Sequence, residues 1–140
     1  MINILVLCTG NSCRSQMAEG FLRKYLGNRA AVYSAGIEAH GLNDRAVEIM
    51  KDDGIDISKQ TSNTILELKE TTFDYVVTVC DNAKEKCPYF PASTSQLHHN
   101  FPDPDKVEGS EQKKLDAFKK SRDEINEYCR KLSEKILIEI

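Results

Sequence analysis

Residues 2–27 read INILVLCTGNSCRSQMAEGFLRKYLG. Positions 2–7 form a short apolar run, broken only by Asn3, the pattern of a strand buried on both faces. Residues 8–14 (CTGNSCR) then bring the turn formers Gly10, Asn11 and Ser12. Over 15–27, Met17, Phe21, Leu22, Tyr25 and Leu26 share one helical stripe, which Gly27 ends. A strand that feeds a tight polar loop and then a helix is the first half of a βαβ unit.

The remaining sequence repeats this alternation. Residues 31–35 (AVYSA) read as a second strand. Residues 43–53 read as a helix with Ala46, Ile49 and Met50 inward, stopped by Gly54, and 64–69 as a short helix. Residues 73–79 (FDYVVTV), rich in aromatic and β-branched side chains, read as a third strand. The segment 81–92 reads as irregular or weakly helical, and 95–99 as a fourth strand. Pro102 and Pro104 break 100–109 into a loop. Residues 110–138 read as a long helix whose core stripe is Leu115, Phe118, Ile125, Cys129, Leu132 and Ile136. No repeat, low-complexity run or linker interrupts this order, so residues 1–140 are expected to form one domain. Alternating strands and helices imply right-handed crossovers and a parallel sheet covered on both faces, an α/β fold. Ligands of such sheets sit beyond the carboxyl ends of the strands. Cys8 and Cys80 end the first and third predicted strands, so both are expected to face one crevice.

Composition narrows the function. The chain has 140 residues, 40% of them hydrophobic and 29% charged, which argues against disorder and leaves enough core to fold without cross-links. A net charge of -3 is unlike the basic surface of a non-specific nucleic-acid binder. No stretch approaches the roughly 20 apolar residues of a membrane span. The run Ile2 to Leu7 is too short for a signal peptide and has no basic start, so a cytoplasmic location is expected. In that compartment cysteines serve catalysis or metals more often than structural disulfides, and five is an odd number for a closed framework. Nothing in the sequence suggests more than a monomer.

The loop 8–14 is suited to an oxyanion. Backbone N–H groups at a helix N-terminus point at a bound anion, and Arg14 adds a bidentate fork. The same positive field is expected to depress the Cys8 thiol and make it a nucleophile. Ser15 is placed either to donate to that thiolate or to cap the helix. Cys13 and Cys129 read as packing residues. Cys80 and Cys87 bracket DNAKEK. A helix would separate them by about 10.5 Å along its axis, whereas a disulfide needs Cα atoms within roughly 7 Å. The segment is therefore a loop, or it refolds when oxidised, and its polar composition suits a weakly held switch. The cysteine spacing does not suit structural zinc. His98 and His99 face opposite ways from a strand and read as surface or strand residues rather than ligands. Asp103 and Asp105 both lie on a stiff, proline-flanked loop, and either carboxyl suits a proton donor.

Five stretches carry a family resemblance: CTGNSCRSQMAEG (8–20), YSAGIEAHG (33–41), GIDISKQTS (54–62), VVTVCDNAKEKCP (76–88) and FPDPDK (101–106). Together they resemble the low-molecular-weight tyrosine phosphatase superfamily and, within it, the thioredoxin-coupled arsenate reductases. The resemblance implies a four-stranded parallel sheet flanked by helices. It implies arsenate bound by Thr9, Gly10, Asn11, Ser12, Cys13, Arg14 and Ser15, with phosphate and sulfate as competing anions. It implies attack by Cys8, with Asp103, the aspartate directly before a proline, as general acid. A Cys8–Cys80 disulfide then forms and passes to Cys80–Cys87, which thioredoxin reduces, and no cofactor stays bound. Some relatives of this kind hold potassium through residues matching Asn11, Glu19, Ser34 and an aspartate, and here Asn63 takes the fourth place with loss of its charge. Phosphotyrosine-specific members follow the Asp-Pro with a tyrosine pair, where this chain has Asp105 and Lys106. Two other readings remain: a phosphomonoesterase of the same fold, which has no use for Cys80 and Cys87, and a non-enzymatic redox or arsenical sensor, for which no DNA-binding motif is present.

Overall fold

Ile4, Leu5, Val6 and Leu7 have no exposed surface. Four consecutive buried residues require cover on both faces of the sheet and a neighbour on each side, and the structure supplies all four. The computed structural model describes residues 1–140. Its elements are β1 (Ile2–Cys8), α1 (Arg14–Leu26), β2 (Ala30–Gly36), α2 (Asp44–Asp52), β3 (Tyr75–Thr78), α3 (Asp81–Glu85), β4 (Ser95–His98) and α4 (Glu111–Glu139). Single turns of 3-10 helix occupy Ile65–Leu68 and Pro104–Lys106. The four strands lie in the order β2-β1-β3-β4 and all run parallel, as the sequence implies.

Helix α1 buries Met17, Phe21, Leu22 and Leu26 and packs on α4, whose Phe118, Ile125 and Cys129 are also buried, Cys129 against the Ala18 carbonyl. Burying each such side chain contributes about 1.5–3 kcal/mol. Leu115, expected in the α4 stripe, is only partly buried, at the edge of the core. Gly20 lets α1 settle closely: a Cβ there would lie 2.9 Å from Ile57 and 3.0 Å from Met50. Caps set the helix starts. Asn43 accepts from the N–H of Ala46 at α2, and Ser110 accepts from Lys113 at α4.

Two differences from the sequence reading matter for the site. Strand β3 starts at Tyr75 and ends at Thr78, so Cys80 has left the sheet and serves as the N-cap of α3. The loop 100–109 contains a turn opened by Asp103, with Pro104 at its first position, where a missing N–H costs nothing.

The chain runs from β1 outward to β2, then crosses back to place β3 on the other side of β1. The crevice between the carboxyl ends of β1 and β3 is thus the point where the winding reverses. No helix is long and apolar enough to cross a membrane.

Candidate active site

The loop after β1 turns its carbonyls away from the crevice. Those of Cys8, Thr9, Gly10 and Ser12 accept from the N–H groups of Ile37, Glu38, His40 and Asn43 at 3.2, 2.8, 2.8 and 3.0 Å. The Asn11 carbonyl accepts from Gln16 Nε2 at 3.0 Å, and that of Cys13 accepts the first α1 bond, from Met17, at 2.9 Å. With six carbonyls tied outward, the N–H groups of residues 9–13 donate to no carbonyl. They form a concave set of donors, the arrangement that binds a tetrahedral anion. Asn11 has φ 48°, the one non-glycine residue in the left-handed region, and its buried side chain fixes that turn. It donates to Ser15 and Ser34 at 2.9 Å each and accepts from the Asn63 N–H at 2.7 Å. Gly36 closes the support from below, since a Cβ there would lie 2.6 Å from the Thr9 carbonyl oxygen. Ser15 neither caps α1, whose N-cap is Cys13, nor bonds a sulfur; its hydroxyl accepts from Asn11 because the loop folds back over it.

Arg14 begins α1 and reaches across to the loop after β4. Its Nη1 donates to the Phe101 carbonyl at 2.9 Å, and Nη2 lies 3.6 Å from Asp103 Oδ2. Its Nε is buried without a partner. A buried guanidinium N–H left unpaired is costly, and an anion in the loop would relieve it. Of the two candidate carboxyls, Asp103 faces this position. Asp105 points outward, toward the Asn43 amide at 3.4 Å.

The two strand-end cysteines meet as the topology requires. Cys8 Sγ lies 3.8 Å from Cys80 Sγ and donates to it. That bond and burial push the Cys8 thiol well above its ordinary value, against the pull of Arg14. The same bond lowers Cys80, down to about 5, helped by the Thr9 hydroxyl at 3.3 Å and the Ala83 N–H at 3.4 Å. The pair therefore carries one negative charge beside Arg14. The sequence reading expects a depressed Cys8; with Cys80 this close, a thiol–thiolate bond holds the charge of the pair beside Arg14. Asn82 completes the link by donating to the Thr9 hydroxyl at 2.9 Å.

The other cysteines divide by environment. Cys87 is half-buried just past the end of α3, with its thiol raised by burial. Since α3 stands between them, Cys80 and Cys87 can join only if that short helix unwinds. Cys13 is buried with Sγ 3.8 Å from Asp103 Oδ1, and burial together with that carboxylate raises it to about 12. Cys129 is buried against the Ala18 carbonyl, and burial raises its thiol too. The sequence reading missed Asn82, and it missed His98, which contacts Asp81 at the head of α3. The register that sets His98 beside Thr78 is not visible in the sequence.

A family model described as low molecular weight phosphotyrosine protein phosphatase matches residues 3–139. The chain belongs to this family. An arsenate reductase from Halalkalibacterium halodurans is 51% identical over 131 residues, covering 94% of each chain. A solved arsenate reductase in its oxidized state superposes with a TM-score of 0.84 at 30% identity, covering 97% of this chain and 99% of that one. A thioredoxin-dependent arsenate reductase from Corynebacterium glutamicum gives 0.79 at 25% identity, covering all of this chain and 64% of that one.

The potassium set of some family members is brought together here but does not fit the ion. Glu19 Oε2 pairs with Arg23 at 2.8 Å and Oε1 accepts from Ser34 at 2.6 Å. The Asn11 side-chain oxygen is taken by the Asn63 N–H, and the Asn63 amide turns to Thr61. Burial raises the Glu19 carboxyl, with Ser34 and Arg23 opposing. Arg23 supplies the positive charge, and these oxygens are already engaged.

Proposed function

We propose that this chain reduces arsenate to arsenite through Cys8, Cys80 and Cys87, and that thioredoxin restores it. The observation that carries the reading is the 3.8 Å approach of Cys8 and Cys80 beside Arg14. A phosphomonoesterase needs the first cysteine and the arginine but gives no role to a second thiol at that distance.

Arsenate enters the loop 8–14, held by its N–H groups and by Arg14, whose Nε gains a partner. Cys8 Sγ attacks arsenic and forms an S–As bond, while an As–O bond breaks. Asp103 passes a proton to the departing hydroxyl, which leaves as water, and the Cys8 proton makes up that loss. The Cys80 thiolate then attacks Cys8 Sγ. The S–S bond forms, the S–As electron pair stays on arsenic, and arsenic(V) leaves as arsenic(III). Cys87 attacks Cys80 and expels the Cys8 thiolate, which moves the disulfide toward the surface. The dithiol of thioredoxin reduces it there. The chain carries the electrons on its own sulfurs, so the cycle calls for no bound cofactor. It acts in the cytoplasm as a monomer, with phosphate and sulfate competing for the loop and slow hydrolysis of aryl phosphates as a side reaction.

Sustained NADPH oxidation in the presence of arsenate, thioredoxin and thioredoxin reductase is the expected result. Aryl phosphate hydrolysis with no arsenate-dependent oxidation would replace this reading with the phosphatase one.

A further inference from the structure

Helix α3 spans five residues, Asp81–Glu85. A helix that short does not hold itself in water. Yet its first turn positions the Ala83 N–H that bonds Cys80 Sγ at 3.4 Å. Contacts from outside the helix must keep that turn formed: Asn82 reaches Thr9, Ala83 is buried, and two side chains beyond β3 hold Asp81. His98 Nε2 lies 2.8 Å from Asp81 Oδ1, and the Asp81 N–H donates to Asn100 Oδ1 at 3.0 Å. His98 is braced in turn by the Thr78 hydroxyl, 2.7 Å from Nδ1. Thr78 and His98 are register partners on β3 and β4, so the brace is built into the sheet.

We infer that His98 is a positioning residue for the Cys80 nucleophile, acting through Asp81. It touches no sulfur. This assignment rests on the relay proposed above. The hydrogen-bond roles are fixed by chemistry: the Asp81 carboxylate only accepts, so Nε2 carries a proton, and Nδ1 of the neutral ring accepts from Thr78. The Ala83 N–H is the group that a change at His98 displaces, whereas Cys8, Thr9 and Arg14 lie outside the clamp.

The clamp also sorts the moving part of α3 from the fixed part. With Asp81 anchored at its carboxylate and its N–H, Cys80 stays opposite Cys8 while the exposed end of the segment, residues 84–87, unwinds.

The test compares His98→Asn with His98→Gln in the reduced full chain. An asparagine amide reaches the Nδ1 position and keeps Thr78 but loses Asp81, whereas glutamine reaches the Nε2 position. The readout is the 13Cβ shift of labelled Cys80 against pH, beside arsenate turnover and aryl phosphate hydrolysis. In His98→Asn the Cys80 titration should move up by about one pH unit and arsenate turnover should fall about tenfold. An unchanged far-UV circular dichroism spectrum shows that the variant is folded, and aryl phosphate hydrolysis, which uses Cys8 alone as nucleophile, should change less than arsenate turnover. His98→Gln should restore the Cys80 titration and the turnover. A Cys80 titration in His98→Asn that superposes on the wild type would overturn the assignment. A Cys80→Ser chain measured in parallel separates the two claims, because full arsenate turnover there would overturn the relay itself.

Discussion

Cys8 Sγ and Cys80 Sγ stand 3.8 Å apart although 72 positions separate them in the chain. The reversal of winding at β1 brings them together, and Arg14 shares its field with both. One charge distributed over two sulfurs has consequences for stability, for the chemical step and for the transfer of the disulfide.

Stability should depend on pH through this pair. The folded chain releases the Cys80 proton near pH 5, whereas an unfolded thiol releases it near 9.0. Between those values the unfolded state binds one proton more than the folded pair, so stability rises with pH, by up to about 1.4 kcal/mol per unit. This contribution is lost as pH falls through about 5. Above the ordinary thiol value the sign reverses, because folded Cys8 keeps a proton that the unfolded chain gives up. Urea unfolding of the reduced chain at pH 6 and pH 8 measures the rise. The wild-type midpoint should increase relative to that of Cys80→Ala across this interval.

Asp103 and Asp105 should separate kinetically. Only Asp103 approaches Arg14 and the loop, at 3.6 Å from Nη2. Asp103→Asn should slow the formation of the Cys8 adduct about 10²-fold, the usual range for losing a general acid. Asp105→Asn should change it less than about twofold, as an outward-facing carboxylate would. Rapid-quench single turnovers with arsenate give both rates.

The Glu19–Arg23 pair should make the fold indifferent to potassium. Arg23 Nη2 is 2.8 Å from the Glu19 carboxylate and also donates to the Val32 carbonyl at 2.9 Å. Melting temperatures in equal concentrations of potassium and sodium chloride should coincide. A rise specific to potassium would show that the ion displaces this guanidinium.

Much of the architecture is legible in the sequence because it is written in contiguous patterns. The run 2–7, the loop 8–14 and the stripe through Phe21 declare β1, the oxyanion loop and α1, and each lies within a residue of its expected bounds. The stripe from Phe118 to Ile136 likewise announces α4. Even the Glu19–Arg23 ion pair is a four-residue helical spacing. What stays hidden depends on distances across the fold. The choice of Asp103 over Asp105 follows from how the turn at Pro104 aims two carboxyls. The sharing of one charge between Cys8 and Cys80 follows from one Sγ–Sγ distance and a helix cap. Phe73 is buried like a strand residue yet precedes β3, because its neighbour Asp74 accepts from Asn3 and sets the start of the pairing. His98 read as a surface or strand residue, and its place in β4 agrees, but its contacts stayed hidden because its partners, Thr78 and Asp81, belong to other elements.

The relay is tested most directly by one turnover of a chain that lacks its last cysteine. Reduced Cys87→Ser is mixed with excess arsenate, thioredoxin, thioredoxin reductase and NADPH, and both arsenite and disulfides are counted, the latter by mass spectrometry of peptides. The account predicts one arsenite per chain, then arrest with a Cys8–Cys80 disulfide and no continuing NADPH oxidation. Continued arsenite production at the wild-type rate would contradict it.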